Sequence, residues 1–470
     1  MDNLPLEILQ DIFELSCIGP GPSLGVCLCL GPYTLLPVQH QLLMVSRLWR
    51  DVATSTQSLW TTIFASCVND SGEKKEEKLR FLRLALGRSG TALLDIHVVS
   101  CWEAVAEYLI PKAYRWRMLT VGTSDLYADL SSFAGLQGKL PALVAFELDD
   151  KAVDPNQRSQ VIGWLSDAFS HSHLIREVLC YSELLEVRFP WHQLTSLNVK
   201  FIPLPTQAMD DAVRFKGLLE SCKSLKRLSI NGQPPLALPF RNTTVQELVH
   251  PDPLWLWFLT LPALRKLVLR GFSRHIDCFP LCIDFIQRSR CSLTSLQLEI
   301  PITRWTSVTI SSFQDVLKLV PCLQSLLLEA PTIVDESPPA CYPADIPSLC
   351  QPLHDPKVLP ALVNFDIVLS QGTKQSAEHC MEALRVWLAV VSDVVGARRA
   401  SMKRFDVNVR AVREETQEHV TRDNVESMVE IGALQARARE VGIKGHLWVT
   451  TLRFQPYESL MHVSKYDIEF

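Results

Sequence analysis

The 470-residue chain lacks the short motifs by which enzymes most often declare themselves. No Gly-x-x-x-x-Gly-Lys-Ser/Thr, Gly-x-Gly-x-x-Gly, Gly-x-Ser-x-Gly or His-Glu-x-x-His occurs, so phosphate cradles, nucleophile elbows and zincin helices are not written in it. No catalytic, cofactor-binding or metal-binding residue is assigned, and an enzyme is not expected. The chain also lacks a dominant charge. Forty-six Lys and Arg stand against 51 Asp and Glu, a net charge of −5, so no overall field would hold a phosphate backbone or an anionic membrane surface. Neither nucleic acid nor membrane is therefore an expected partner. There is no long apolar run: the least polar stretch, Leu24 to Val38, is broken by Gly25, Gly31, Pro32 and Pro37 and is too short to span a bilayer as a helix. The start, Met1-Asp2-Asn3, is acidic where a signal peptide would be basic. The 14 cysteines are scattered singly, which favours reduced, buried thiols over a disulfide framework and places the protein in cytosol or nucleus. The sequons at Asn69 and Asn242 are then chance matches.

What is present is apolar and patterned. Hydrophobic residues make up 47% and charged residues 21%, the balance of a globular chain, and the length suits either about three ordinary domains or one long solenoid. From Leu4 to Leu15 the residues Leu4, Ile8, Leu9, Ile12, Phe13 and Leu15 recur at helical spacing behind Pro5, predicting an amphipathic helix of about three turns. Cys17 to Pro37 is rich in Gly and Pro and reads as a loop. A second helical stripe follows in Leu42, Leu43, Val45, Leu48, Trp49, Val52 and Ala53, and the segment to Phe64 carries Leu59, Trp60 and Ile63.

Three ordered segments then match a family. Leu4-Pro5-Leu6-Glu7-Ile8-Leu9-Gln10-Asp11-Ile12-Phe13, Val45-Ser46-Arg47-Leu48-Trp49-Arg50-Asp51-Val52-Ala53 and Ser58-Leu59-Trp60 together resemble an F-box, of the fungal F-box-like type that often carries an insert such as Cys17 to Pro37. The resemblance covers residues 1–66. It implies an all-helical module that docks on the adaptor subunit of an SCF-type (Skp–cullin–F-box) ubiquitin ligase, and through it on a cullin. The positions it would use are Leu4, Pro5, Ile8, Leu9 and Ile12 on the first helix, with Val45, Leu48, Trp49 and Val52 divided between core and contact. The other reading of the same stripe is intramolecular core. Some sixty residues with two or three short helices barely fill a core, which favours burial against a partner.

Residues 67–92 read as a linker helix, with Glu76 four residues before Arg80 and a seam of Leu79, Leu82 and Leu86. From about residue 93 to 420 the chain repeats an aliphatic-x-x-aliphatic-x-aliphatic strand. The clearest copies open at Leu194, Leu225, Leu264, Leu293 and Leu323, and weaker ones at Leu93, Trp116, Leu143, Ile175, Leu362 and Met402. From Leu194 the openings are spaced 31, 39, 29, 30, 39 and 40 residues, room for one strand and one helix each. Several follow a proline, as in Leu140-Pro141-Ala142-Leu143 and Leu261-Pro262-Ala263-Leu264, which stops a helix and extends the backbone. Helical spacing recurs at 213–222, 279–286 and 313–320. This resembles an irregular leucine-rich-repeat solenoid, an α/β architecture. Ile175, Leu184 and Leu194 lie too close for intervening helices and predict successive strands or loops.

Residues 331–360, with eight prolines, predict a surface loop, and 421–470 a helix and strand that cap the array. Cys27-Leu28-Cys29 with Cys17 and His40 matches no zinc-finger spacing, and His171-Ser172-His173 is as well a helix-end pair as a ligand pair. Arg398, Arg399, Lys403, Arg404, Arg410 and Arg413 form a locally basic segment, most simply a solvated face offset by Asp406 and Glu414, the other reading being a site for an acidic target or phosphorylated degron. Trp191, Trp255 and Trp257 fall near strand ends at the expected concave rim, where aromatics can be binding hot spots, and are expected rather to pack between repeats. Together these readings predict a non-catalytic substrate-recognition subunit whose repeats hold an unidentified target protein. The alternative is a leucine-rich-repeat interaction scaffold with no ligase connection.

Overall fold

The computed structural model describes residues 4–17, 26–27, 38–65, 73–98, 102–122, 135–149, 158–201, 208–233, 238–249, 251–269, 278–299, 307–331, 346–371, 388–398, 402–413, 436, 444–454 and 461–469. The protein is a mixed helix and strand chain built on parallel sheet, in two compact units, Met1–Leu225 and Lys226–Phe470.

The first unit opens with α1 (Leu6–Cys17), β1 (Val26–Cys27), α2 (Val38–Val45), α3 (Arg47–Ser55), a 3-10 turn (Gln57–Trp60), β2 (Thr62–Ala65) and α4 (Glu73–Arg88). It continues with β3 (Leu94–Val98), α5 (Trp102–Leu109), β4 (Trp116–Gly122), β5 (Ala145–Asp149), α6 (Arg158–Phe169), β6 (Glu177–Tyr181), β7 (Ser196–Lys200) and α7 (Ala208–Ser221). Strands β1 to β7 pair in chain order, every pair parallel. Parallel neighbours demand a crossover between strands, which α4, α5 and α6 supply.

The second unit holds β8 (Arg227–Asn231), β9 (Phe240–Arg241), β10 (Glu247–Val249), β11 (Leu259–Thr260), β12 (Lys266–Leu269), α8 (Phe279–Ser289), β13 (Ser295–Glu299) and α9 (Ser307–Leu319). After these come β14 (Ser325–Pro331), α10 (Ile346–His354), β15 (Asn364–Gln371), β16 (Arg404–Arg413), β17 (Lys444–Phe454) and β18 (Met461–Glu469). Here β8, β10 and β12 to β17 pair parallel in chain order, β18 closes the edge antiparallel, and β9 with β11 makes a separate two-stranded pair.

Period-two alternation decides which side of each strand is buried. Cross-strand partners form continuous inner rows: Ile63, Ile96, Leu119, Phe146, Val178 and Leu197 in the first unit. Leu228, Leu248, Leu267, Leu296, Leu326 and Phe365 do the same in the second. All twelve are buried, and each contributes on the order of 2 kcal/mol of transfer free energy.

Register is fixed one residue before β5, β6, β8, β10 and β12 to β15, where a single carbonyl accepts two N–H groups from the next segment. Lys226 O receives Gln246 N (2.8 Å) and Glu247 N (2.9 Å), and Gln246 O receives Arg265 N (2.8 Å) and Lys266 N (2.9 Å). The same pair of bonds recurs at Arg265, Thr294, Gln324 and Val363, and in the first unit at Val144 and Arg176. Buried arginines complete the turns between elements. Arg115 donates to the carbonyls of Ser89 (3.1 Å) and Ala92 (2.8 Å). Arg398 donates to those of Leu353, Leu359 (2.7 Å) and Asp355 (2.8 Å). A guanidinium has enough donors in one plane to join several turn carbonyls at once, among them Ser89 O, Asp355 O and Leu359 O, each of which also accepts a backbone amide.

Several expectations need correction. The N-terminal module is not all helical: α3 stops at Ser55, and the chain passes through the 3-10 turn into β2, which pairs with β3. Ile63 thus belongs to the sheet. The stretch 331–360 is not wholly loop, because Ile346, Leu349, Cys350 and Leu353 keep helical spacing and form α10, with Cys350 and Leu353 buried. Between Leu225 and Leu264 lie two short steps rather than one long one. Strand β10 follows Val245-x-x-Leu248, and His250 in the third aliphatic position hid it. Between Ile175 and Leu194, too close for intervening helices as expected, the chain forms 3-10 turns at Ser182–Leu184 and Trp191–Gln193, and Leu184 opens no strand. Glu76 pairs with Arg83 at 2.7 Å, not with Arg80. The expected closing strand is β17, its partner β18 was not foreseen, and the helix expected over 421–441 falls outside the described residues except 436.

Candidate functional site

The strongest candidate is the N-terminal helical surface. Pro5 O accepts the amide of Leu9 (3.1 Å) as α1 begins. Ser46 in extended backbone starts α3, its hydroxyl accepting Trp49 N at 3.1 Å, which satisfies one of the amides a helix start leaves open. At its end Thr56 donates its hydroxyl to Val52 O (2.8 Å). These caps fix short helices that would be marginal alone.

On α1 the apolar residues divide. Leu9 and Phe13 point inward to a cluster with Leu42, Val52, Ala53, Leu59, Trp60 and Ala85, flanked by Leu43, Trp49 and Phe81. Trp60 is completely buried, its indole N–H donates to Ala53 O (2.8 Å), and the Arg88 guanidinium lies 4.4 Å from its ring centre. Phe13 and Trp49 meet with ring centroids 4.9 Å apart, and Gln39 donates to Leu59 O at 3.3 Å. Because Phe81 and Ala85 come from α4, the expected linker helix is part of this core.

The other apolar residues face out. Ile8, Ile12 and Leu15 stand at i, i+4 and i+7 with exposures of 44%, 42% and 68%, and Leu4 lies one turn before them at 38%. Leu6, Met44, Val45 and Leu48 are exposed as well. Of the positions expected at an adaptor contact, Leu4, Pro5, Ile8, Ile12, Val45 and Leu48 are at the surface, and Trp49 is half-buried. Leu9 is buried in the chain's own core with Phe13 one turn on, so as a contact residue it is corrected, and Val52, expected to fall to either core or contact, lies in the core. Sequence reasoning missed Leu6, Leu15 and Met44, although the i+7 spacing from Ile8 already marked Leu15.

The remaining candidates fall apart. Among the described residues no group of three or more His, Cys, Asp or Glu side chains could hold a metal, and Cys29 lies outside them. His171 and His173 sit in the turn after α6, joined by a backbone bond of 3.1 Å. Asn242 accepts the amides of Thr244 (2.8 Å) and Val245 (3.1 Å) and is buried, which closes that sequon to a glycan. The basic segment separates into a buried Arg398 and exposed Lys403 and Arg404; Arg399 and the side chains of Arg410 and Arg413 lie outside what is described. Trp191 donates to Val187 O (3.1 Å), Trp255 is buried, and Trp257 is exposed, against expectation. Burial pushes the thiols of Cys180 and Cys222 up to about 12, far from a nucleophile's range. No helix among the described residues is long and apolar enough to cross a membrane.

No protein-family model matches the chain, and no curated protein matches it in sequence.

Proposed function

We propose that the protein is a non-catalytic substrate-recognition subunit of an SCF-type ubiquitin ligase, with an F-box-like N-terminal module and an irregular leucine-rich-repeat solenoid. The outward apolar stripe of Leu4, Ile8, Ile12 and Leu15 carries the reading, since it persists after the module has filled its own core with Leu9 and Phe13. Exposed aliphatic residues in one line on a helix suit an apolar groove on a partner. Val45, Leu48 and Met44 extend the supply of exposed apolar side chains on the neighbouring helices. The order of the three F-box-like segments supplies the identity of that partner, and the chain-order parallel strands support the repeat reading of the rest. In this role the chain does no chemistry. It raises the effective concentration of a target's lysines near a conjugating enzyme held by other subunits.

Mixing the purified chain with the ligase adaptor tests this directly. Complex formation is expected on gel filtration, and Ile8→Asp with Ile12→Asp should weaken it more than about 100-fold while thermal unfolding stays unchanged. Absence of a complex, or a double variant that binds as well as the parent, leaves an interaction scaffold with no ligase connection.

A further inference from the structure

The second unit carries a charge pattern that the linear sequence conceals. Register places Arg227, Glu247, Lys266, Ser295, Ser325, Asn364 and Arg404 in one row across β8, β10 and β12 to β16. The residues just before β8, β12 and β16 add Lys226 and Arg265, whose carbonyls lock the register, and Lys403, whose amide donates to Val363 O. Six cations therefore gather where the strands begin, with Glu247 the single acid, in a chain whose net charge is −5. Lys226, Arg227, Arg265, Lys403 and Arg404 are exposed, and Lys266 is half-exposed. Glu247 draws Lys266 to 2.7 Å and Arg227 to 3.9 Å, which sets those two side chains along the row.

We propose that this row docks an extended, carboxylate-rich segment of another protein. The cations lie on β8, β12 and β16. Neighbouring strands are spaced about 4.8 Å, so β8 and β12 are ~10 Å apart and β12 and β16 ~19 Å. An extended peptide advances ~3.3 Å per residue, and acids spaced about three and then about six residues would meet all three pairs. The strands between them offer Ser295, Ser325 and Asn364, hydrogen-bonding but uncharged, suited to an uncharged stretch of peptide. A nucleic-acid backbone fits less well. Its charges are closely and evenly spaced, whereas this row has wide neutral gaps, and Glu299, Glu329 and Asp366 lie farther along the same face.

The partner rests on the proposed function only in being called the ligase's target, and its test leaves the adaptor out. A fluorescein-labelled Gly/Ser peptide with glutamates at that spacing is titrated with the full chain, following anisotropy at low and at physiological salt. Binding is expected that weakens with salt. Lys226→Glu with Arg265→Glu should weaken it about tenfold without altering adaptor binding, since only their backbone groups serve the ladder. Lys403→Glu, at the far end, should weaken it several-fold and stands in if the double variant fails to fold. The proposal is overturned if the glutamine version of the peptide binds equally, if folded variants bind as the parent does, if only a phosphoserine version of the peptide binds, or if a single-stranded oligonucleotide binds more tightly than the peptide.

Discussion

The N-terminal helices and the strands of the second unit handle apolar side chains in opposite ways. In the strands, alternation sends every second residue inward, and the second unit exposes one large hydrophobic residue among those described, Trp257. Leu4, Leu6, Ile8, Ile12, Leu15, Met44, Val45 and Leu48, eight such residues, are exposed within the first 48 positions. A strand has two faces, and adding units completes the buried one. A helix whose apolar arc reaches from Leu15 round to Phe13 needs neighbours on two sides, and three short helices supply one. Completeness within the chain thus belongs to the parallel strands, and incompleteness to the N-terminal helices.

Matched truncations on the two surfaces would sharpen this contrast most. Leu296→Ala, in the inner row of β13, should cost ~3 kcal/mol in urea unfolding, while Ile12→Ala should stay within ~0.5 kcal/mol. Equal losses would mean that the α1 stripe is core after all. Arg398→Met probes whether the turns are as firmly closed as the rows. Removing donors to three carbonyls should cost ~2 kcal/mol, and a loss no larger than that of an ordinary surface change would deny the clamp a structural role. The smallest effect concerns His97, half-buried on the open side of β3 and stacked on Phe64 with centroids 6.2 Å apart. Burial holds its imidazole below the ordinary 6.5, with Asp95 opposing. The unfolded chain then binds the proton first, so this group's contribution is intact above pH 6.5 and declines on acidification below it. His97→Gln should flatten that part of the stability profile, and an unchanged slope would assign it to other groups.

Much of the parallel framework was legible, because it rests on local patterns. Each aliphatic-x-x-aliphatic opening from Leu93 to Met402 leads into a strand two residues on, or one in the case of Leu93, apart from Trp116, which is itself the first residue of β4. What escaped depended on partners distant in sequence. Strand β10 has three residues and an imperfect motif, and becomes a strand because β8 and β12 lie on either side. Strand β18 alternates Tyr466 and Ile468 with Lys465, Asp467 and Glu469, but only its pairing with β17 gives that alternation meaning. At the candidate site, periodicity identified the apolar stripe, yet Leu9 and Ile8 are neighbours with equal apolar character. Spacing within α1 sorts them onto two faces, Leu9 with Phe13 and Ile8 with Ile12, but which face is inside was decided by Val52, Trp60 and Ala85.

The doubly bonded carbonyls that precede eight of the strands bear on how such a chain can change over generations. Whatever length of polypeptide separates Lys226 from Gln246, or Gln324 from Val363, the frame is set anew at the next lead-in residue. Insertions and deletions in the connecting segments can accumulate without shifting any residue on the sheet face, and a duplicated unit would lengthen the surface with its columns still aligned. Sheets of different width could arise from one ancestor in this way, each with its lead-in residues in the same frame.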